Sequence, residues 1–556
     1  MPTSPEVTVQ KTKRKKRRRK AAPTCTPVAK KRKKKKRKAA AKPAALARAK
    51  RRRKPVCRPK KKKKPVLRPQ TVPAPAKPGD GGNPAPGPAP AVPAPPSGRS
   101  LGTIASPIGV YQGAFGHREA ARLLWRAGFG PKPGDVERLA GMDLEAAVMS
   151  LTRPSGDATL DGPEPTVDGA PLSPLDTWSG PHLYWMDRML RSSQPLVERL
   201  ALVFHDWFAT SNAGVGSNEF MLEQTNVFRA NGLGSFSDMV RAVTTGRAML
   251  VFLNGIDNSR YGVNENYGRE LQELFTLGAD RGAYSETDVR ELARALTGWR
   301  ADWTDGVGLH DFRFDATRWD PRNKTVFAST GPWNWEDACR LVVNHPLHAS
   351  FFVAKLWSYF VPEPPSADVA SKLEALYVSS GHQIRPVLEA ILCSPELYEG
   401  PRMTKPPVVL VAGMLRALGR YIDGEQWAWL CDGAGQMLYE PPDVSGWDDK
   451  RWLDSNTIRA RWDVVNYAVE GRTLSPDSDE AYAYPAETPE QAVASARAFW
   501  LDPLLSDDAV AGLTELARAF QPPDDTTSTP AWQLRQHASL RAQRQTLLRH
   551  LIAASP

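Results

Sequence analysis

Two side chains in this sequence have the chemistry for acid/base work or metal binding: Glu270 and His205. In the segment Asn264–Leu277, the apolar residues Tyr267, Leu271, Leu274 and Phe275 recur at helical spacing. At about 100° per residue Glu270 falls between Leu274 and Leu277, within or beside the apolar sector, while Glu265 and Arg269 lie opposite and Glu273 lies on the flank. A carboxylate on that face has to be paired, hydrogen-bonded, metal-bound or protonated. Two readings stay open: a metal ligand or general acid/base, and a structural ion pair with an arginine such as Arg294 or Arg269. His205 shares a helix face with Glu198 and Leu202 at the edge of an apolar stripe, where a histidine serves either as a ligand or as a satisfied core residue. His345 and His348 flank Pro346, which suits a helix start, but they lack the neighbouring carboxylate pattern of a metal site.

Around this pair stand further candidates for binding: Asn266, Arg269, Asp320, Lys324, Gln436, Asp443, Trp447 and Trp452. The loop running from Pro441-Pro442-Asp443 to Trp452 is rigid and aromatic. It reads either as a sugar-stacking or partner-docking surface, or as an ordered loop that plugs the helical core with Trp447 and Trp452. No Gly-x-Ser-x-Gly elbow, Walker loop, His-Glu-x-x-His or Gly-x-Gly-x-x-Gly signature occurs, so the familiar hydrolase and nucleotide chemistries have no support.

The elements that would position these residues are mostly helices. Arg118–Arg126 opens the first helical pattern, and Gly128, Gly130 and Pro131 close it. Pro195–Phe208 aligns Leu196, Leu200, Val203, Phe204 and Trp207, with Pro195 suited to the first turn. Asn264–Leu277 reads as one helix with Gly278 at a left-handed C-cap. Ser285 and Asp288 form a Ser-x-x-Asp approximation to a capping box for a helix that stops near Gly298. Val353–Phe360, Val369–Tyr377, Ile384–Leu392, Val408–Leu418 and Trp532–Ala554 also read as helices, and Val307–Val326 is the one place suited to a small hairpin. Residues 154–175 and 473–489 read as Pro-rich, helix-poor connections. No fixed-period repeat is present.

Charge divides the chain more sharply than its net value of +15 suggests. Residues 1–70 hold 32 Lys and Arg against one acid, Glu6, in blocks Lys11–Lys20, Lys30–Lys38 and Arg51–Lys64; the rest holds 43 basic against 59 acidic residues. Such a basic segment cannot collapse and reads as a disordered arm. It has no aromatic residue for base stacking, so it suits phosphate or other anions without sequence preference. The alternative is a charge-balancing tail that folds back onto the acidic body. Residues 71–100 carry ten prolines and read as a semi-stiff linker. All seventeen tryptophans lie beyond residue 100, in a body divided into a core at 101–472 and a helical extension at 473–556 that packs on it. The five cysteines form no C-x-x-C pair, and the longest apolar run, Pro406–Leu415, is too short to span a bilayer. As written, the basic start is not followed by the apolar stretch of an export signal, which points to the cytoplasm.

Five stretches together resemble a large, uncharacterised bacterial family, the domain of unknown function numbered eighteen-hundred. They are Leu124-Trp-Arg-Ala-Gly-Phe-Gly130, Phe204-His-Asp-Trp-Phe208, Asn264 to Gly278, Tyr284-Ser-Glu-Thr-Asp-Val289 with Ala293-Arg-Ala-Leu-Thr-Gly-Trp299, and Gly435-Gln436 with Pro441-Pro-Asp-Val-Ser-Gly-Trp447 and Trp452. The resemblance implies an exported or envelope-associated protein, encoded beside a partner similar to the alkaline-phosphatase and sulfatase superfamily, and brings no activity. Two positions depart from the family pattern. Tyr267-Gly268 replaces Phe-Ala, although a mid-helix glycine costs about 1 kcal/mol against alanine. Trp319-Asp320 stands ahead of Lys324 where the family tends to have His-Asp.

The expected fold is therefore mostly α: a multi-helical single large domain with minor β, preceded by the basic arm and linker. The expected function is a helical binding or scaffold module tethered by the arm to an anionic polymer, nucleic acid or envelope polymer. The alternative is a metal-dependent or acid/base enzyme using Glu270 and His205, with a divalent metal as the cofactor in question.

Overall fold

The computed structural model describes residues 102–482, 487–520 and 531–554. The arm, the linker, Cys25 and Cys57 lie outside the described residues. Helices dominate, and the strands form three two-stranded antiparallel ladders.

The pattern read from Pro195 onward becomes the helix Pro195–Trp207, with Pro195 in its first turn and Phe208 as its C-cap. Its stripe of Leu196, Leu200, Val203, Phe204 and Trp207 is buried, and all of these but Val203 join one continuous hydrophobic core. That core also takes Trp185 from the helix Gly180–Arg191, Phe228 from Asn218–Asn231, Phe236 from Phe236–Thr245 and Leu415 from Pro407–Leu418. Apolar side chains at helical spacing thus make each helix one wall of a shared interior. The helices His348–Ser358, Ala367–Ser379 and Ile384–Leu392 fall where periodicity predicts them. Ser285 caps Glu286–Ala295 reciprocally: its hydroxyl accepts the Asp288 amide at 3.3 Å, and the Asp288 carboxylate accepts the Ser285 amide at 2.9 Å.

Three expectations change. The connection at 154–175 carries a short antiparallel ladder, Thr166–Val167 with Ala170–Pro171, so 307–326 is not the one place for a hairpin. The hairpin begins earlier than 307: Trp299–Thr304 pairs with Gly308–Phe314, with a register irregularity between Arg300 and Asp302, and a second hairpin joins Lys324–Val326 to Ser329–Gly331. Only the pairing partner distinguishes Trp299 as a strand start from a helix end. The segment Asn264–Leu277 is also not one uniform helix. It runs as an α-helix over Asn266–Glu270 and then as a π-helix over Leu271–Thr276. There the amides of Leu277 and Gly278 both reach back to the Gln272 carbonyl, at 2.9 and 3.2 Å.

Gly268 finds its reason in this packing. A Cβ there would stand 3.1 Å from the Cα, Cβ and N of Ala293, so the missing side chain lets the helix lie against Glu286–Ala295. The C-terminal helices close on the same body. Trp500 Nε1 donates to the Arg549 carbonyl at 2.9 Å, Arg549 Nη1 donates to the Arg472 carbonyl at 3.1 Å, and His550 Nε2 meets Asn466 Oδ1 at 2.6 Å. Cys339, Cys393 and Cys431 are buried and free. Among the described residues, no helix is long and apolar enough to cross a membrane.

Candidate functional site

A helix end leaves its last carbonyls without intrahelical donors, and here that end is wound as a π-turn. Here four consecutive carbonyls find side chains. Leu274 accepts from Lys355 Nζ at 3.1 Å, Phe275 from Trp207 Nε1 at 2.9 Å, Thr276 from His348 Nδ1 at 2.8 Å and Leu277 from Arg281 Nη1 at 2.9 Å. Because a carbonyl only accepts, His348 must carry its proton on Nδ1, which leaves Nε2 to accept from the Tyr377 hydroxyl at 3.0 Å. Burial pushes this imidazole down to about 4, so it is neutral. His348 begins its helix, as expected, and both of its nitrogens are engaged.

The Phe204–Phe208 motif meets this turn from one side and the Pro441–Trp447 loop from the other. His205 is buried, its Nε2 accepts the backbone amide of Tyr439 at 3.0 Å, and burial pushes it down to about 3. Rings of Trp185, Tyr439 and Trp447 surround it at centroid distances of 5.4, 5.2 and 5.3 Å. Its neighbour Asp206 points into polar company. One carboxylate oxygen accepts the Tyr359 hydroxyl at 2.6 Å, and the other accepts the Trp447 amide at 2.8 Å. Gly446, at φ +92°, packs so closely on Asp206 that a Cβ would stand 2.7 Å from its backbone oxygen. Burial raises the Asp206 carboxyl against the lowering effects of Tyr359, Trp447 and Lys355. Burial likewise lowers Lys355 to about 8, with Asp206 opposing; its ammonium lies 5.0 Å from the Trp207 ring centroid.

Glu270 is partly buried, and its carboxyl is raised by burial and then by Glu273, with Arg269 opposing. It has no hydrogen bond or ion pair among the described residues. Both arginines weighed as its partners are committed elsewhere. Arg269 makes a bidentate pair with Glu286, 2.8 Å on each arm, while Arg294 holds Asp320 at 2.9 Å and Glu291 at 2.6 Å. No hydrogen bond, ion pair or ring contact joins Glu270 to His205. Among the described residues, no group of three or more His, Cys, Asp or Glu side chains is placed to hold a metal ion.

The chain's affiliation follows the convergence of these motifs. A family model described as a protein of unknown function, DUF1800, matches residues 122–556. The chain belongs to this family. Neither a curated protein nor a solved structure matches it.

Within this DUF1800 chain Asp320 and Lys324 lie together, and the other predicted residues occupy separate places. Asp320 is buried and accepts from Arg322 Nε at 2.9 Å and Nη2 at 2.7 Å as well as from Arg294; Arg322 first, then Arg294, hold its carboxyl well below the usual range. Lys324 is fully buried, donates to the carbonyls of Asp320 and Trp333, and sits 4.9 Å from the Trp319 ring centroid, with burial lowering it to about 8. Trp319 thus serves as the face on which the lysine rests. Asn266 is exposed and donates to Asn254 Oδ1 at 2.9 Å. Gln436 is buried and accepts the Val408 amide at 3.2 Å, which holds the start of the Pro407–Leu418 helix. Asp443 is exposed and closes a local turn onto the Ser445 amide at 2.8 Å. Trp452 is buried, and its carbonyl accepts Arg461 Nε at 3.0 Å.

Sequence reasoning passed over one feature of this DUF1800 fold. Arg118, Arg122 and Arg126 stand four residues apart on the helix His117–Arg126, and all three line a cavity of about 500 Å³ together with Arg199, Arg402 and Lys405. The regular spacing was visible in the sequence, but an arginine stripe at i, i+4, i+8 is usually a solvated face. That Arg199, seventy-odd residues away, closes the same cavity was not visible.

Proposed function

We propose that this protein is a helical binding module held on an anionic polymer by its first seventy residues. The observation that carries this reading is the separation of charge: 32 basic residues against one acid in residues 1–70, and an excess of carboxylates over the rest of the chain. An acidic body is repelled on average by a phosphate backbone, so contact with a polyanion falls to the arm. The helical body is then the part free to meet a partner, for which the protein similar to the phosphatase and sulfatase superfamily is a candidate. Binding to double-stranded DNA at several salt concentrations tests the tether. The full chain is expected to bind with an affinity that falls steeply as salt rises, and a chain beginning at Leu101 is expected not to bind. Equal binding by both would sink the idea.

A second reading, acid/base or metal-dependent chemistry at Glu270 with His205 nearby, is favoured by one observation: a partly buried carboxyl, raised and without a partner, next to a π-turn. Such turns are frequent at functional sites, and perturbed carboxyls mark catalytic ones. Metal analysis of the purified protein separates the readings. A stoichiometric metal lost in Glu270→Gln favours this chemistry, and its absence from both leaves the binding module.

A further inference from the structure

The cavity at the first helix holds a charge imbalance that no other described residue resolves. No salt bridge joins Arg118, Arg122, Arg126, Arg199, Arg402 or Lys405 to a carboxylate among the described residues. Among the described residues the carboxylates that line the cavity, Asp502 and Asp507, are exposed, and Asp502 already pairs with Arg497 at 3.2 Å. Arg122 spends its guanidinium on the carbonyls of Tyr398, Gly400 and Pro401, and Arg126 reaches Pro401 at 3.2 Å.

Arg199 is different. It is 5% exposed, and its Nε and Nη1 have no hydrogen-bond partner among the described residues. It lies on the helix Pro195–Trp207 and lines the cavity from within. Lys405 rests 4.8 Å from the Trp125 ring centroid, and its ammonium has no hydrogen bond or ion pair among the described residues. A buried guanidinium without partners is among the most unfavourable arrangements in a folded protein, and arginine cannot shed its proton to escape it. Burial lowers Arg199 to about 10 and Arg126 to about 9, the latter with Arg122 and Arg199 adding, so both stay charged at neutral pH. Apolar and aromatic side chains line the same cavity: Trp125, Trp500, Leu505 and Ile552.

We propose that this cavity binds a small organic phosphate ester, with the phosphate held by Arg199, Arg126 and Lys405 and the organic part against Trp125 and Trp500. Guanidinium forks match the oxygens of a phosphate bidentately, and a dianion answers more of the local charge than a single carboxylate does. The volume is in the range of small-molecule sites. The residues of this site lie between Arg118 and Ile552, outside the basic residues of the N-terminal arm.

The test uses the full chain and two soluble probes, phenyl phosphate and dihexanoyl phosphatidic acid, which separate a free ester from a lipid headgroup. Calorimetric titration is expected to show saturable binding of at least one, with a rise in melting temperature on binding. Arg199→Met is expected to weaken that binding by about tenfold or more and to abolish the rise. In the absence of probe, the same variant is expected to melt no lower than the parent, because it removes an unpaired buried charge. Lys405→Met, at a partly exposed position, is expected to weaken binding as well and carries the test if Arg199→Met fails to fold. No saturable binding of either probe would overturn the proposal. So would binding that is equal in the parent and the variants, which would belong to the arm.

Discussion

The Tyr359 hydroxyl donates to the Asp206 carboxylate at 2.6 Å and so ties the helix His348–Ser358 and its C-terminal turn to the end of Pro195–Trp207. Asp206 is raised by burial, and Tyr359 is among the groups that lower it. A carboxyl whose folded pKa lies above its unfolded value contributes stability at low pH and loses it as pH rises through the folded value. Tyr359→Phe removes a lowering contact and raises that carboxyl further. The variant is therefore expected to lose about 1–3 kcal/mol at neutral pH and less at acid pH, as read by denaturant melts at both.

Gly268→Ala sets helix propensity against packing. Propensity favours alanine by about 1 kcal/mol, but the new Cβ would press on the backbone of Ala293 as well as its side chain, at 3.1 Å. Backbone between two packed helices gives little. A net loss of about 1–2 kcal/mol is expected by chemical denaturation, and a gain would show that the two helices separate easily.

The buried histidines give the fold an acid limit. His348 is pushed from its ordinary 6.5 down to about 4, and His205 to about 3. A histidine held neutral below its unfolded pKa contributes stability above pH 6.5 that is lost as pH falls toward the folded value. For His348 alone this amounts to about 3 kcal/mol by pH 4. NMR is expected to show neither His205 nor His348 titrating between about pH 5.5 and 8.

Asp320 works in the opposite sense. Arg322 and Arg294 hold its carboxyl below the ordinary 3.8, so its contribution is present above that value and lost as pH falls further into the acid range. Asp320→Asn is expected to lower the melting temperature at neutral pH, because two arginines lose their charged acceptor, and to flatten the acid limb of the stability profile.

Glu270→Gln is expected to leave stability within about 0.5 kcal/mol at neutral pH, since no hydrogen bond or ion pair is removed. A much larger loss on thermal melting would mean that the carboxylate has a ligand which the variant sheds.

Much of the helical framework was legible because it depends on local chemistry. Pro195, the Ser285–Asp288 capping box and the stripe Leu196, Leu200, Val203, Phe204 and Trp207 each act within a turn or two of chain, where periodicity and capping are decisive. The split between a basic start and an acidic remainder needs only counting.

The state of several candidate side chains was decided by burial and by partners distant in sequence. The end carbonyls of the π-turn are answered from Trp207, His348 and Lys355, so no window of sequence around Leu274 could predict them. Burial keeps His205 neutral while its Nε2 accepts the Tyr439 amide, 234 residues away, and Asp320 is held both by Arg322 beside it and by Arg294 from another element. The arginine stripe of the first helix became the wall of a cavity only when Arg199 and Lys405 folded against it. A residue's type and spacing are written along the chain, whereas the burial and partners that set its charge exist only once the chain has closed on itself.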